Sequence, residues 1–427
     1  MLFLVSLRRV ALACCLVVPA LPGWSQPALS LQEAQRLALA RSRLVDAFDS
    51  ASQASRELAV AAGRLPDPVL KLGVENVPLG GPDRLSLSRD AMTMRRIGLM
   101  QELPSADKRR LKVERVERDV QRIAAERAGA VATVQRETAL AWIDRHYTQA
   151  MVDLLQRQLG ETQLQEQGAE LAYRTGRGGQ ADVFAARMAI AGMRDKLALT
   201  QRQQRAAGVM LARWVGPQAE TVATVGAADW GSSLRADRLL GDITRVPRLQ
   251  ELAAQVAAAQ TELRQADANT RADWTVEAMY GQRGSGHPDM LTIGVSVPLQ
   301  LDRPRRQDRE VAARRAALAQ AEATYQEAVV AQKAEIRVLS NDWHANRDRL
   351  AGLTADLLSS ARHRTQAAET AYATAKGDLV GVIAARRDET EARLQVLSLE
   401  SETARLWAQL SYLEPDAALL PQQKEQP

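Results

Sequence analysis

The sequence predicts a mainly α-helical protein with a small β part, built twice from a unit of helix, β-hairpin, long helix and return helix. Three observations support this prediction. The sixteen residues from Ala172 to Arg187 return from Ala371 to Arg386, 199 positions later, with eight identical residues. Long stretches without proline show helical spacing of apolar residues, and two short stretches in each copy alternate apolar and polar residues. A repeat of this size indicates duplication of one unit.

The composition is typical of long helices rather than of a compact globular core. Aromatic residues make up 4% of the 427 residues and charged residues 25%. The net charge of +5 is small, and no stripe of basic and aromatic residues indicates binding to nucleic acid. No P-loop, no Gly-rich phosphate loop and no catalytic constellation is present, so the sequence predicts neither an enzyme nor a cofactor site.

The N-terminus is predicted to be a secretory signal peptide over residues 1–25. Two arginines supply its positive charge, and the apolar stretch 10–21 supplies its centre. An uncleaved anchor is the alternative, but this stretch is too short to span a membrane as a helix. Cys14 and Cys15 both fall in this segment, so the mature chain is expected to lack disulfides and thiolate ligands. Lipidation at Cys14 stays open.

The first repeat is expected over residues 26–215. Ser30 and Glu33 form a capping box that opens a helix, which is expected to run to Gly63. Pro104 marks the change from strand to helix, because proline cannot continue a strand's hydrogen bonding. The other elements expected in this repeat are strands at about 69–78 and 93–103, a long helix at about 106–173 and a return helix at about 181–214.

The second repeat, residues 246–413, is expected to follow an irregular equatorial linker at residues 216–245. Pro298 takes the place of Pro104, 194 residues later. The tail, residues 414–427, is expected to be disordered. The elements expected in this repeat are a helix at about 246–270, strands at about 273–281 and 290–298, a long helix at about 306–372 and a return helix at about 380–413.

The strands are long enough to cross a bilayer at a tilt, and their alternation fits lipid on one face and water on the other. Leu291, Ile293 and Val295 are the clearest example. Four strands cannot close a barrel, and open edges in lipid leave backbone groups unpaired, so such a chain must oligomerise. Two copies would give eight strands around a filled interior, and three would give twelve around a water-filled lumen. A soluble helical protein with two ordinary hairpins is the alternative.

The chain resembles the TolC-type outer-membrane efflux channels over residues 30–413. The segment 29–34 (LSLQEA), the duplicated order of elements, the prolines at the strand-to-helix joints and the two repeated turns carry this resemblance. Within that family, the chain is most similar to the heavy-metal branch, the CzcC- and CusC-like proteins. The segments 65–70, 75–78 and 94–104 carry this closer similarity.

The resemblance implies a homotrimer with a twelve-strand β-barrel in the outer-membrane lipid, continued by a long α-helical tunnel in the periplasm. It implies two partners, a periplasmic adaptor (a membrane fusion protein) and an inner-membrane pump of the RND type. The implied function is that of a passive exit duct in tripartite efflux, with heavy-metal cations as a candidate substrate. A periplasmic coiled-coil scaffold or adaptor without a membrane barrel is the runner-up interpretation.

The candidate sites lie at the repeated turns, residues 173–182 and 372–381. In the family this end of the molecule docks the adaptor and narrows the tunnel. A structural interpretation stands beside the functional one, because the turn glycines can permit positive φ at a chain reversal. The docking candidates are Tyr173, Gly176, Arg177, Gly178, Gly179, Tyr372, Lys376, Gly377 and Asp378.

The gate candidates are Asp182, Tyr372 and Lys376. Asp182 and Tyr372 match family positions that close the gate, whereas the family's arginine position is Gly377 here, beside Lys376. We expect Asp182 to bond Tyr372 or Lys376 in the closed state. The alternative is that Asp182 only favours the start of the return helix.

No metal site is predicted. None of the four histidines has the spacing of a metal ligand relative to another histidine or to a pair of carboxylates. A metal substrate therefore rests on the branch resemblance alone. In the strands, Lys71, Glu75 and Glu277 are expected to face the lumen, and Arg95–Arg96 is a candidate interfacial anchor.

Overall fold

The computed structural model describes residues 28–226, 234–284 and 286–419. Within these ranges the chain is mostly helical and carries a small antiparallel sheet, as the sequence predicts. The predicted signal peptide and residues 420–427 of the tail lie outside the described residues.

The first repeat has the predicted order of elements. Its elements are α1 (Leu31–Arg41), α2 (Arg43–Ala62), β1 (Val69–Glu75), β2 (Met94–Leu103), α3 (Ala106–Arg174) and α4 (Gln180–Val215). Helix α3 has 69 residues, which corresponds to about 100 Å at 1.5 Å per residue.

The second repeat follows the same order. Its elements, after α5 (Leu234–Gly241) in the linker, are α6 (Pro247–Ala268), β3 (Trp274–Arg283), β4 (Met290–Ser296), α7 (Gln307–Gly352), α8 (Ser359–Ala373) and α9 (Leu379–Ser411). Among the helices that the structure describes, none combines the length and the apolar content that a membrane span requires.

Three predicted boundaries are wrong for local reasons. The first helix is not continuous, because Ser42 has ψ 101° and its hydroxyl accepts from Val45 N–H at 3.4 Å, which ends α1 and caps α2. The first strand ends early, because Asn76 has φ 57°. The linker is not irregular throughout, since it contains α5.

A π-helical turn at Leu353–Leu358 joins α7 to α8. The apolar stripe that packs against α9 passes through Leu350 and Leu353 and then jumps five residues to Leu358. Leu357, at the regular spacing of four, is exposed, whereas Leu358 is buried. A π turn accommodates one extra residue, so it keeps the stripe in contact with α9 across this irregular spacing.

The first residues of the predicted disordered tail are ordered. The N–H of Asp416 donates to Oε1 of Gln135 at 2.8 Å. Leu419 is buried beside Val131 and Val134 of α3. Residues 414–419 are therefore packed against the first repeat, and the expectation of disorder is wrong for them.

The core lies where the two repeats meet. Trp142 of α3 is fully buried, and its Nε1 donates to the carbonyl of Leu29 at 2.9 Å. The residues packed in the same cluster include Leu211 and Val215 of α4 and Ala404 and Ala408 of α9. This cluster fastens both return helices to the long helix of the first repeat.

The strands form one sheet in the order β1-β2-β3-β4, and all neighbours are antiparallel. Strands β2 and β3, which belong to different repeats, pair from Met94 with Arg283 to Leu103 with Trp274. The two hairpins are therefore fused into one sheet, with β1 and β4 at its edges.

Lys108, in the first turn of α3, ties this helix to the second repeat. Its Nζ donates to the carbonyl of Arg271 at 2.7 Å and to Oδ2 of Asp273 at 2.8 Å. Lys108 is buried and Asp273 directly precedes β3. This ion pair holds the start of β3 against the start of α3.

We predict that Lys108→Met destabilises the protein by about 3–5 kcal/mol, because it leaves the Asp273 carboxylate largely buried without its counter-charge. Thermal unfolding in detergent, followed by circular dichroism, measures the change. The control is Arg43→Ala, which removes a pair with Asp46 whose side chains are both exposed, at an expected cost below about 1 kcal/mol. Equal melting temperatures for Lys108→Met and wild type would contradict this role of the pair.

Candidate functional site: the hairpin turns and the sheet faces

The first turn, between α3 and α4, is a Schellman motif. Thr175 ends α3, and Gly176 follows with φ 69°. The N–H of Gly176 donates to the carbonyl of Tyr173 at 3.1 Å, and that of Arg177 donates to the carbonyl of Ala172 at 2.8 Å. These two hydrogen bonds define the motif, and glycine suits its left-handed position because it has no Cβ.

The second turn, between α8 and α9, has the same geometry without glycine at that position. Ala375 has φ 55°. Its N–H donates to the carbonyl of Tyr372 at 3.1 Å, and that of Lys376 donates to the carbonyl of Ala371 at 2.8 Å. A residue with a Cβ pays about 1–2 kcal/mol for this conformation, so the second turn is strained and the first is not.

The structure corrects the expected reason for the other turn glycines. Gly178, Gly179 and Gly377 do not have positive φ. A Cβ on Gly178 would lie 3.1 Å from the Cβ of Ala172, and one on Gly377 would lie 3.0 Å from that of Ala371. These two glycines, identical in the repeats, allow the turn to pass close to the end of the preceding helix.

Both return helices begin with a carboxylate, but at different positions. In the first copy, the N–H of Gly179 donates to Oδ2 of Asp182 at 3.1 Å. In the second copy, Oδ1 of Asp378 accepts from the N–H of Gly381 at 2.8 Å. Glycine and aspartate occupy these two positions in opposite order in the two copies, so the carboxylate of the second copy lies three residues earlier than that of the first. Each carboxylate lies at the positive end of its helix.

The gate candidates do not contact one another in this structure. Within the described residues, no hydrogen bond joins Asp182 to Tyr372 or Lys376, and the Asp182 carboxylate binds inside its own turn. Tyr372 and Lys376 are exposed. The helix-start role weighed for Asp182 is therefore observed, and the gate contact stays a prediction.

The two hairpins pack against each other beside the turns. Ala169 of α3 and Val183 of α4 are buried against Leu379 and Val382 of α9. Tyr173 and Arg177 remain exposed next to this contact. The turns thus form one surface at this end of the molecule, with an apolar floor between the hairpins.

Two arginines that close the repeated segment fasten the hairpins. Nε of Arg187 donates to Oε1 of Glu166 at 2.9 Å. Nη2 of Arg386 lies 2.7 Å from Oε1 of Glu369 in its own hairpin, and the same guanidinium also pairs with Glu161 of α3. The sequence analysis predicts no role for these arginines. Their presence at the same position of both repeats is the sequence feature that could have indicated one.

One face of the sheet is apolar. The register places Leu72, Ile97, Tyr280 and Leu291 in one cross-strand row. Leu72 is 70% exposed and Ile293, in the next row, is 72% exposed. Side chains of this size are normally buried, so this surface is suited to contact with an apolar medium or partner.

The opposite face of the sheet is polar. Nζ of Lys71 lies 2.7 Å from Oε2 of Glu277, and Nη1 of Arg96 lies 2.6 Å from Oε2 of Glu75. The side chains of Arg96 and Glu277 are only 21% and 23% exposed, which indicates that the sheet curls toward this face. The three residues expected to share a face do so, and Arg95 lies on the apolar face.

The two prolines predicted at strand-to-helix joints are not equivalent. Pro104 precedes Ser105, which caps α3 by accepting from Lys108 N–H at 3.3 Å. After Pro298 the chain passes through residues 299–306, with a short 3-10 turn, before α7 begins. The second joint is therefore a longer connection than the first.

His146 is a packed residue of α3. Its ring stacks on Trp142 with centroids 4.8 Å apart, and Nδ1 lies 3.2 Å from Oγ1 of Thr224. Burial lowers the pKa of His146 and so favours the neutral ring. In the part of the chain that the structure describes, no three His, Cys, Asp or Glu side chains are grouped to hold a metal ion.

Solved structures supply the comparison for this geometry. No family model matches the chain, and no curated protein matches it in sequence. It superposes on the outer-membrane channel OprN with a TM-score of 0.73 at 18% identity, covering 90% of each chain. For the outer membrane protein VceC from Vibrio cholerae the TM-score is 0.72 at 18% identity, covering 90% of this chain and 95% of that one.

CusC, whose structures concern folding and transmembrane channel formation, gives a TM-score of 0.73 at 14% identity. The match covers 90% of this chain and 92% of that one. The chain has the fold of these channel proteins. Sequence identities this low establish the fold alone. The superpositions confirm the predicted combination of a duplicated helical body with a small sheet.

We predict opposite effects for matched substitutions in the two turns. Ala375→Gly relieves the strain of positive φ and stabilises the turn, whereas Gly176→Ala introduces that strain, each by about 1 kcal/mol. Hydrogen exchange of the Lys376 amide should be about fivefold slower in Ala375→Gly than in wild type. Exchange of the Arg177 amide should be about fivefold faster in Gly176→Ala. The same sign of change in both variants would contradict this account of the turns.

Proposed function

We propose that the chain is one protomer of a trimeric duct in the bacterial outer membrane. In this proposal the duct is the passive exit of a tripartite efflux system. The observation that carries it is a sheet with one exposed apolar face whose two outer strands, among the described residues, each have one edge without a partner strand. This sheet is joined to helices about 100 Å long. The fold of the channel proteins above supports the same function.

Backbone hydrogen bonding at the sheet edges requires copies of the chain to associate, and a trimer satisfies this requirement. In lipid the edges β1 and β4 need partners, because each unpaired backbone group costs several kcal/mol. Joining β1 of one copy to β4 of the next in a ring of three closes twelve strands, four from each chain. A ring of that size leaves a water-filled lumen, with the polar faces inside and the apolar faces toward lipid.

The repeated turns then lie in the periplasm, at the end farthest from the membrane. A periplasmic adaptor docks there, on a surface formed by Tyr173, Arg177, Tyr372, Lys376 and their neighbouring glycines. The close approach permitted by Gly178 and Gly377 exposes backbone that a second helical hairpin can meet. An inner-membrane pump of the RND type supplies the energy, so the chain itself needs no nucleotide site.

The closed gate in this proposal is a bond from Asp182 to Tyr372 or Lys376. Forming it requires the Asp182 carboxylate to leave the N–H of Gly179. Heavy-metal cations are the substrate class suggested by resemblance to the heavy-metal branch. The competing function is a periplasmic coiled-coil scaffold or adaptor without a membrane barrel, which the long helices alone would also fit.

Membrane insertion separates these two functions. Ile293→Lys places a charge on the apolar face, at a cost of about 2–4 kcal/mol near the bilayer midplane. We expect it to abolish recovery of the protein in the outer-membrane fraction. Thr292→Lys is the matched control, because the neighbouring residue lies on the polar face, and it should fractionate like wild type. If salt extracts the wild-type protein from the membrane, and both variants fractionate in the same way as each other, the result would favour the periplasmic scaffold.

Single-channel conductance tests the gate. Asp182→Ala should increase conductance by removing the carboxylate that the closed state needs. Asp378→Ala is the control, since it also loses a helix cap worth about 1 kcal/mol but leaves the proposed gate carboxylate in place. If Asp182→Ala conducts like wild type, the gate assignment fails.

A further inference from the structure

The polar face of the sheet carries a regular series of methionines. Four consecutive cross-strand rows on this face each contain one, and the apolar face of the described strands contains none. In order from the hairpin end of the sheet, these residues are Met94, Met290, Met279 and Met100. We call this series the methionine ladder.

The ladder has a defined spacing. Successive rows are two residues apart along the strands, so the ladder rows are spaced about 6.6 Å apart along the strand direction and span about 20 Å in total. Met290, Met279 and Met100 stand diagonally to one another on adjacent strands, within reach of long side chains. Met94 lies two strands from Met290, with Gly281 of β3 between them.

Glycines leave room for the ladder side chains. Sδ of Met94 lies 3.4 Å from the position that a Cβ on Gly281 would occupy, and Gly281 is the direct partner of Met290. A Cβ on Gly98 would collide with the side chain of Met279. The side chains of Met94 and Met279 therefore lie beside glycine backbone.

Two carboxylates beside the ladder are paired with cations. Glu277 is bound by Lys71 and Glu75 by Arg96. These carboxylates are committed to cations, while the four thioether sulfurs carry lone pairs and no charge. Thioethers are soft ligands that select Cu⁺ over hard divalent ions, and Ag⁺ has the same closed-shell d¹⁰ configuration.

We propose that the methionine ladder binds soft monovalent cations, Cu⁺ and Ag⁺, and passes them along the polar face of the sheet. Single thioethers bind weakly, and a series of weak sites lets an ion enter, move and leave. The binding itself depends only on the sheet, whereas its use in export rests on the proposed function.

Methyl resonances test the binding directly. The full-length protein, labelled with ¹³C at the methionine methyls and purified in detergent, is titrated with Ag⁺. The four ladder methyls should shift together and before those of Met188 and Met210, which are exposed on α4. If the helix methyls shift at the same or a lower Ag⁺ concentration, the proposal is overturned without recourse to any variant.

Substitution supplies the second test. Replacing all four ladder methionines with leucine keeps side-chain volume nearly constant and should weaken Ag⁺ binding by about tenfold or more. The control, Met188→Leu with Met210→Leu, should bind like wild type. Circular dichroism and recovery in the membrane fraction check folding. Wild-type binding by the folded fourfold variant would contradict the ladder.

Export assays separate failure of the ladder from failure of the proposed function. In a strain lacking the chain, wild type should restore Ag⁺ tolerance and the fourfold variant should not, although both insert in the outer membrane. Full tolerance with the variant would overturn the ladder's role in transport and leave the duct intact. No change of any export phenotype on deletion would instead refute the duct, and the methyl titration would still decide the binding.

Discussion

Backbone hydrogen bonding at the edges of the sheet constrains the rest of this molecule. Strands β1 and β4 end the sheet within the described residues, and each presents a row of N–H and C=O groups. Water could satisfy these groups, but the exposed leucine and isoleucine side chains beside them make water a poor surrounding. The edge groups find partners when another copy extends the sheet, and the apolar side chains are covered when an apolar medium surrounds that face.

The period of two in the strands does more than separate an apolar face from a polar one. Each strand places its one glycine on the polar face, at positions 73, 98, 281 and 294. The glycines at 98, 281 and 294 give space to neighbouring long side chains; for example, a Cβ at residue 294 would meet the Glu277 side chain at 2.9 Å. The polar face can therefore carry charges and methionines close to the backbone without crowding.

The sequence predicts the fold well where the signals are local and repeated. The duplicated turns, the proline at position 104 and the alternation in Leu291–Val295 place the main elements within a few residues. The sequence does not predict the structure where a residue adopts a backbone conformation that its residue type disfavours. Ala375 takes a left-handed conformation because the surrounding motif requires it, and only the tertiary structure shows that. The π turn was visible in principle, as the spacing of five from Leu353 to Leu358, but an exposed leucine at position 357 disguises it.

The exchanged carboxylates at the return helices have a consequence for symmetry. Both arrangements satisfy one N–H at a helix start, so duplication could move the charge by three residues at little cost in stability. The outward surfaces nevertheless differ, because one tip presents Gly179 where the other presents Asp378. A ring of six such tips from three chains would repeat every 120° rather than every 60°. Six identical subunits meeting that ring would occupy two distinct environments in alternation, and each could be adjusted by mutation without changing the other.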